Sequence, residues 1–295
     1  MNFLRFPMTV ARGLYALRAA THVGGPGLVF DRFGRRIGLR LLARGHRIGA
    51  SLLAAPMSSF RYWEFPFVAR HLPTAGTILD VASPFLFGLY WSQRHSDIAL
   101  RMINPDRCDL DGTAELVRAL DLSRITTGCE AVDHVATSVN CYDAIFSISV
   151  LEHIAGDYDD RQAMRWMYNA LRPGGRLIIT VPVDREFRDE YRNEDVYRLG
   201  RTVASPQGTF FQRWYDIAAI QERLVEPIGR PPVSQCWFGE TVPGRFAAYE
   251  QNWLRKGPAA TVSDPLEFAK HYAEFPSWEA MPGAGVCGLV FVKPE

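Results

Sequence analysis

YDAIFSISVLEHIAGDYDDRQAMRWMYNALRPGGRLIITVPV, residues 142–183, is the stretch whose folding fixes the architecture. Its first part, Ala144 to Leu151, is a short apolar run carrying Ile145, Phe146, Ile148 and Val150. The run is too short for an ordinary helix and rich in β-branched residues, so it reads as a buried strand. Two ionisable residues, Glu152 and His153, follow directly. Asp159 to Leu171 then places Ala163, Met164, Trp166, Met167, Ala170 and Leu171 at helical spacing. Pro173-Gly174-Gly175 is expected to stop that helix. Leu177 to Val181 is a second apolar strand, closed by Pro182. Strand, helix and strand make a βαβ unit, which implies parallel strands covered on both faces. Ligands of such sheets sit beyond the carboxyl ends of the strands, where Glu152 and His153 fall.

Outward from this unit the pattern repeats. Thr77 to Val81 is a strand ending at Asp80, followed by the turn Ala82-Ser83-Pro84 and a helix over Phe85 to Gln93. Ile98 to Ile103 is the next strand, ending at Asn104-Pro105-Asp106, and Ala114 to Leu120 reads as a helix. Ile125 to Thr127 is a short strand leading into Gly128-Cys129-Glu130-Ala131. Beyond Val183, Asp184 to Gln212 is charged and irregular, a long insertion holding Tyr191, Tyr197, Phe210 and Phe211, with Trp214 just after it. Long insertions above a sheet serve as lids or binding loops. These aromatic residues either line a pocket or give the insertion its own core. Tyr215 to Leu224 reads as helix, Val233 to Phe238 as strand and Gly285 to Val292 as a last strand.

The 295 residues are 47% hydrophobic with a formal charge of +1, which supplies an adequate core and argues against a nucleic-acid binder. The distribution of charge is uneven. Residues 1–61 carry ten arginines against one acid, Asp31, a formal +9. Within them, Leu4, Val10, Leu14 and Leu17 share one face, and a second basic segment spans Phe33 to Leu53. A basic amphipathic helix either lies on an anionic membrane or packs on its own domain, and the sequence leaves both open. Ser58 to Leu72 is dense in aromatic residues and reads as a packed helix. Five cysteines without a CxxC pair read as reduced core thiols, which points to the cytoplasm. The histidines show no ligand spacing, so no metal site is expected.

TILDVASP, FSISVLEHI and LRPGGRLIITVP together resemble the class I S-adenosylmethionine-dependent methyltransferases. The likeness is nearest the broad group whose fourth strand ends in Leu-Glu-His, and it covers roughly Trp63 to Val183. It implies a doubly wound α/β fold: a mostly parallel, seven-stranded Rossmann-like sheet with an antiparallel last strand, plus N-terminal helices and an inserted lid. The domains would be a basic helical extension over 1–62 and a methyltransferase-like domain over 63–295, with 184–214 as the lid. By position, Asp80 and the loop Ala82-Ser83-Pro84 would hold the amino-acid part of S-adenosylmethionine. Asn104 or Asp106 would accept the ribose hydroxyls, because a carboxylate offers acceptors and no donor. Glu130 and Ala131 would face the adenine, and Ser147 and Ser149 would lie beneath the cofactor. Glu152 and His153 would sit nearest the methyl donor, His153 as general base or as a packed residue under the lid.

One departure stands out. The family's first loop is glycine-rich, whereas here the corresponding positions read Ala82, Pro84 and Leu86. Glycine allows close backbone approach and positive φ, while proline fixes φ and has no N–H. The loop is expected to follow a different path or to bind cofactor less tightly. The leading expectation is methyl transfer to a small molecule: an apolar or lipid-linked compound, a secondary metabolite or a saccharide. A catalytically inactive binding or scaffold protein is the second reading, and a nucleotide-dependent oxidoreductase the third, disfavoured because no GxGxxG follows the first strand.

Overall fold

The computed structural model describes residues 5–21, 24–196, 204–257, 260, 261 and 264–295, so Leu4, His22 and Tyr197 lie outside the described residues. The chain divides into two units: Met1–Phe67 with Phe238–Gly285, and Val68–Trp237 with Val286–Glu295.

The first unit opens with α1 (Arg5–Thr21), α2 (Leu28–Ala43), α3 (Gly49–Ala54) and the start of α4 (Arg61–His71). The basic segment expected over Phe33 to Leu53 is thus two helices, broken at Gly45, whose φ is 83°. Both α1 and α2 pack on α3 through glycine. A Cβ on Gly13 would lie 2.6 Å from Leu53 Cγ, and one on Gly38 2.5 Å from Leu53 N. The single acid of residues 1–61 has a structural use. Asp31 accepts two bonds from the buried Arg35, from Nε at 2.7 Å and Nη2 at 3.0 Å. Arg35 Nη1 then donates to Leu53 O and Ala54 O, which satisfies carbonyls at the end of α3. Tyr62 donates to Asp31 as well, at 2.9 Å.

The second unit holds the sheet. Its strands are β1 (Ala75–Val81), β2 (Asp97–Ile103), β3 (Ile125–Gly128), β4 (Tyr142–Ile148) and β5 (Leu171–Val183). Between them run α5 (Phe85–Arg94), α6 (Arg107–Ala119) and α7 (Asp160–Ala170). An inserted three-stranded sheet follows, β6 (Arg188–Arg192), β7 (Ala204–Ser205) and β8 (Gly208–Trp214), and then α8 (Ile217–Ile220). The strands β9 (Ser234–Glu240) and β11 (Gly285–Val292) complete the main sheet, in the order β9-β11-β5-β4-β1-β2-β3. β1 pairs in parallel with β2 and β4, β2 with β3, and β4 with β5. β11 runs antiparallel, since Lys293 near its end bonds Gly174 and Gly175 near the start of β5. These are the seven strands expected. Ile78 to Val81, Ala144 to Ile148 and Leu177 to Val183 are continuously buried, so both faces of the sheet are covered. Each buried Leu, Ile or Phe here contributes about 1.5–3 kcal/mol.

Local details differ from expectation. α7 ends at Ala170, before Pro173-Gly174-Gly175, which instead bends the first residues of β5; Gly174 has φ 75°. α6 starts seven residues earlier than expected, because Asp106 caps it by accepting from Cys108 N and Asp109 N. Cys108, Cys129 and Cys141 are exposed, not in the core, and only Cys287 is buried. Surface thiols are compatible with a chain whose strands are filled by larger aliphatic residues.

The sequence between β9 and β11 forms α9 (Arg245–Lys256), α10 (Asp264–His271) and β10 (Tyr272–Phe275), an eighth strand of the main sheet beside β9. The buried Glu240 organises this segment by accepting from Gly244 N, Phe246 N and Ala284 N. Phe60, Phe246, Phe268 and Tyr272 pack ring against ring nearby.

Candidate active site

The carboxyl end of β1 lies between those of β2 and β4, and the loop after it is bonded to both. Ala82 N donates to Ile103 O at the end of β2, at 2.8 Å. Ser83 Oγ accepts from Ile148 N at the end of β4, at 3.0 Å. Ser147 Oγ donates to Val81 O at 3.3 Å. Asp80 Oδ1 accepts from Ser83 N at 2.9 Å, while its buried Oδ2 has no hydrogen-bond partner among the described residues. Burial pushes the Asp80 carboxyl up to about 7, partly offset by the bonds from Ser83. Ala82 has φ 52°, a left-handed conformation that glycine adopts more cheaply. Pro84 stands at the N-cap of α5, where no backbone N–H is required for the helix. The loop therefore keeps a left-handed turn at Ala82 without glycine, and Ala82 and Pro84 are partly open to solvent.

At the end of β2, Asn104 and Asp106 are interlocked. Asn104 Oδ1 accepts from Asp106 N at 2.9 Å, and its Nδ2 donates to Asp109 Oδ2 at 2.8 Å. The Asp106 carboxylate is engaged in capping α6. Asp109, which the sequence reading did not single out, is the further acid here. Crowding by surrounding protein raises its pKa, and Asp106 adds to the rise. It also lies close enough to Asp80 to raise that carboxyl in turn. The three-residue spacing from Asp106 to Asp109, which resembles a capping box, is the sequence signal that marks it.

After β3, both oxygens of Glu130 accept from Arg101 Nη2, at 2.8 and 2.7 Å, and His134 Nε2 is 3.4 Å away. Ala131 begins a short 3-10 turn over Val132–Val135. Ser149, just past β4, has φ 49°, and its N–H bonds Thr180. The structure thus brings Asp80, Ala82, Ser83, Pro84 and Ser147 together in one bonded loop. It joins Asn104 and Asp106 through Asp109, and it holds Glu130 in a separate ion cluster with Arg101.

Glu152 and His153 occupy a 3-10 turn, Leu151–His153, directly after β4. Glu152 is buried, with Oε1 3.8 Å from His153 Nε2. His153 Nδ1 lies 2.7 Å from Phe211 O on β8, and the two rings meet edge to face at 5.1 Å. A carbonyl only accepts, so Nδ1 carries a proton and Nε2 is the atom of the ring that can take one up. His153 is therefore both packed beneath the insertion and oriented by it.

The insertion is fixed at its base. Val183 and Tyr215 form a bridge, and Asp184 N donates to Tyr215 O. Tyr215 donates to the buried Asp160 at 2.7 Å, and Arg223 Nε donates to the same carboxylate at 2.9 Å. Arg213 donates to Ile154 O at 2.6 Å. Within the inserted sheet, Glu190 accepts from Arg192, Gln212 and Trp214, which holds its carboxyl below the usual range against the cost of burial. The Arg192 guanidinium lies 3.7 Å over the Phe211 ring. Among the described residues, no group of three or more His, Cys, Asp or Glu is placed to hold a metal ion.

Comparison with known proteins bears on the fold. Residues 97–179 match the family model described as a methyltransferase domain. A search of curated protein sequences finds no match. A protein of Galdieria sulphuraria described as a sarcosine dimethylglycine methyltransferase superposes with a TM-score of 0.52 at 12% identity, covering 79% of this chain and 84% of that one. Coclaurine N-methyltransferase, solved with N-methylheliamine and SAH, gives a TM-score of 0.52 at 11% identity, covering 98% and 88%. The 4+2 cyclase SpnF gives 0.50 at 18% identity, covering 92% and 97%. At such identities the likeness is one of fold. Residues 97–179 thus match a methyltransferase-domain family model, and the chain shares the fold of the class I S-adenosylmethionine-dependent methyltransferases.

Proposed function

We propose that the protein transfers a methyl group from S-adenosylmethionine to a small-molecule acceptor. The observation that carries this reading is the Oδ2 of Asp80, buried and without a hydrogen-bond partner among the described residues, under a left-handed turn between the ends of β2 and β4. That arrangement fits the cofactor's amino-acid part, and Ala82, Ser83 and Pro84 would line it. Asp109, steadied by Asn104, suits the ribose hydroxyls better than Asp106, whose carboxylate caps α6. Ala131 would border the adenine, with Glu130 behind it; Ser147 and Ser149 would support the floor.

When bound, S-adenosylmethionine supplies an already activated methyl group, so the chain's task is to position the acceptor and exclude water. His153 Nε2 accepts the acceptor's proton, and Phe211 O keeps Nδ1 protonated. Glu152, 3.8 Å away, stabilises the resulting imidazolium. The inserted sheet of β6, β7 and β8 forms the substrate side, where Phe211, Phe210 and Tyr191 favour an apolar acceptor such as a secondary metabolite or a lipid-linked compound.

Ala82 and Pro84 in place of glycines favour one alternative: a binding or scaffold protein that has lost the cofactor. Calorimetric titration with S-adenosylmethionine, S-adenosylhomocysteine and NAD separates the readings. Micromolar binding of the first two supports methyl transfer. Absence of heat with all three supports the scaffold, and heat with NAD alone supports an oxidoreductase.

A further inference from the structure

The outward faces of α1 and α2 share a chemistry that neither the fold nor the cofactor site uses. α1 turns Gly13 and Ala16 inward, and Met8, Arg12 and Tyr15 outward at i, i+4 and i+7. Met8 is 56% exposed and Tyr15 71%. α2 buries Asp31, Arg35 and Gly38 and exposes Arg36, Leu39 and Arg40. Arg12, Arg36 and Arg40 have no ion pair among the described residues. This is unlike Arg35, whose guanidinium is consumed by Asp31 and two carbonyls. Residues 1–61 carry a formal +9, with the one acid buried in that pair.

We propose that these exposed surfaces of α1 and α2 dock the protein onto an anionic phospholipid bilayer. Unpaired arginines interleaved with exposed apolar side chains match the two layers of such a surface, the phosphate headgroups and the acyl boundary beneath them. Charge selects this occupant over a neutral partner, and the exposed Met8, Tyr15 and Leu39 select it over nucleic acid, which offers phosphate without an apolar layer. No helix among the described residues is long and apolar enough to cross a membrane, so contact is at the surface. The inference stands independently of the methyl-transfer reading.

The test is co-sedimentation of the full chain with vesicles of phosphatidylcholine alone or with about one-third phosphatidylserine. The chain should pellet only with the anionic vesicles, and about 0.5 M NaCl should release it, because the Debye length falls below the contact distance. Each surface arginine is worth about fivefold in partitioning, so Arg36→Gln with Arg40→Gln should weaken it about 30-fold. Met8→Ser with Tyr15→Ser should weaken it about tenfold or more, by removing buried apolar area. All four positions are exposed, and unchanged circular dichroism confirms that the variants fold. Equal pelleting with both vesicle types overturns the proposal. So does binding to a DNA duplex as tight as to vesicles, combined with indifference to Met8→Ser and Tyr15→Ser. A dimer in solution that those two changes dissociate, without vesicle binding, assigns the face to a second copy and also overturns it.

Discussion

Asp80→Asn should change how stability depends on pH, and the structure gives the size. The buried Asp80 carboxyl is raised from 3.8 to about 7. A group whose folded pKa lies above its unfolded value supports folding fully below the unfolded value, here near 4. That support is lost as pH rises through about 7. Three pH units correspond to about 4 kcal/mol, of which roughly 1.5 kcal/mol is already lost at pH 5. Asparagine keeps the acceptor for Ser83 N and never ionises. The difference in unfolding free energy between variant and parent should therefore shift by about 2–3 kcal/mol in the variant's favour between pH 5 and pH 8. Asp264, also pushed up to about 8 by burial, titrates in both proteins and cancels. Urea unfolding followed by tryptophan fluorescence at four pH values measures this. A difference that stays constant across the range would refute the claim that burial holds the Asp80 carboxyl protonated near neutral pH.

Four further changes test other links. Asp160→Ala leaves Arg223 and Tyr215 without their shared carboxylate and should cost about 3–5 kcal/mol in urea unfolding. Asp109→Ala should weaken S-adenosylhomocysteine binding about tenfold or more by calorimetry. Asp106→Ala should mainly cost about 1 kcal/mol of stability as a lost helix cap, and equal affinity losses would contradict the assignment. Once an acceptor is known, His153→Ala should lower kcat about 100-fold or more while leaving cofactor affinity within about twofold. An unchanged kcat would remove the general-base role.

The sheet was legible because parallel strands buried on both faces read as unbroken apolar runs, as over Ala144 to Ile148 and Leu177 to Val181. The position of Glu152 and His153 just past the fourth strand was legible from the same run. What sequence could not supply was long-range pairing. The bond from His153 to Phe211 O links residues 58 positions apart through a backbone carbonyl, which carries no side-chain signal. The inserted sheet was hidden for the same reason: β6 reads RDEYR, and its order comes from Glu190 meeting Gln212 and Trp214 across the strands. Residues 241–284 lacked periodic apolar runs, since α9 buries none of its residues. The proline-glycine pair after α7 misled because the same residues that end helices also bend strands.

A crystal structure of the protein with S-adenosylhomocysteine tests the central assignment most directly. The amino-acid end is expected against Asp80 and the Ala82–Pro84 loop, the ribose hydroxyls on Asp109, and the sulfur facing His153. Density for the ligand at any other place, or side chains of the Ala82–Pro84 loop filling the adenosyl position in crystals grown with saturating ligand, would contradict it.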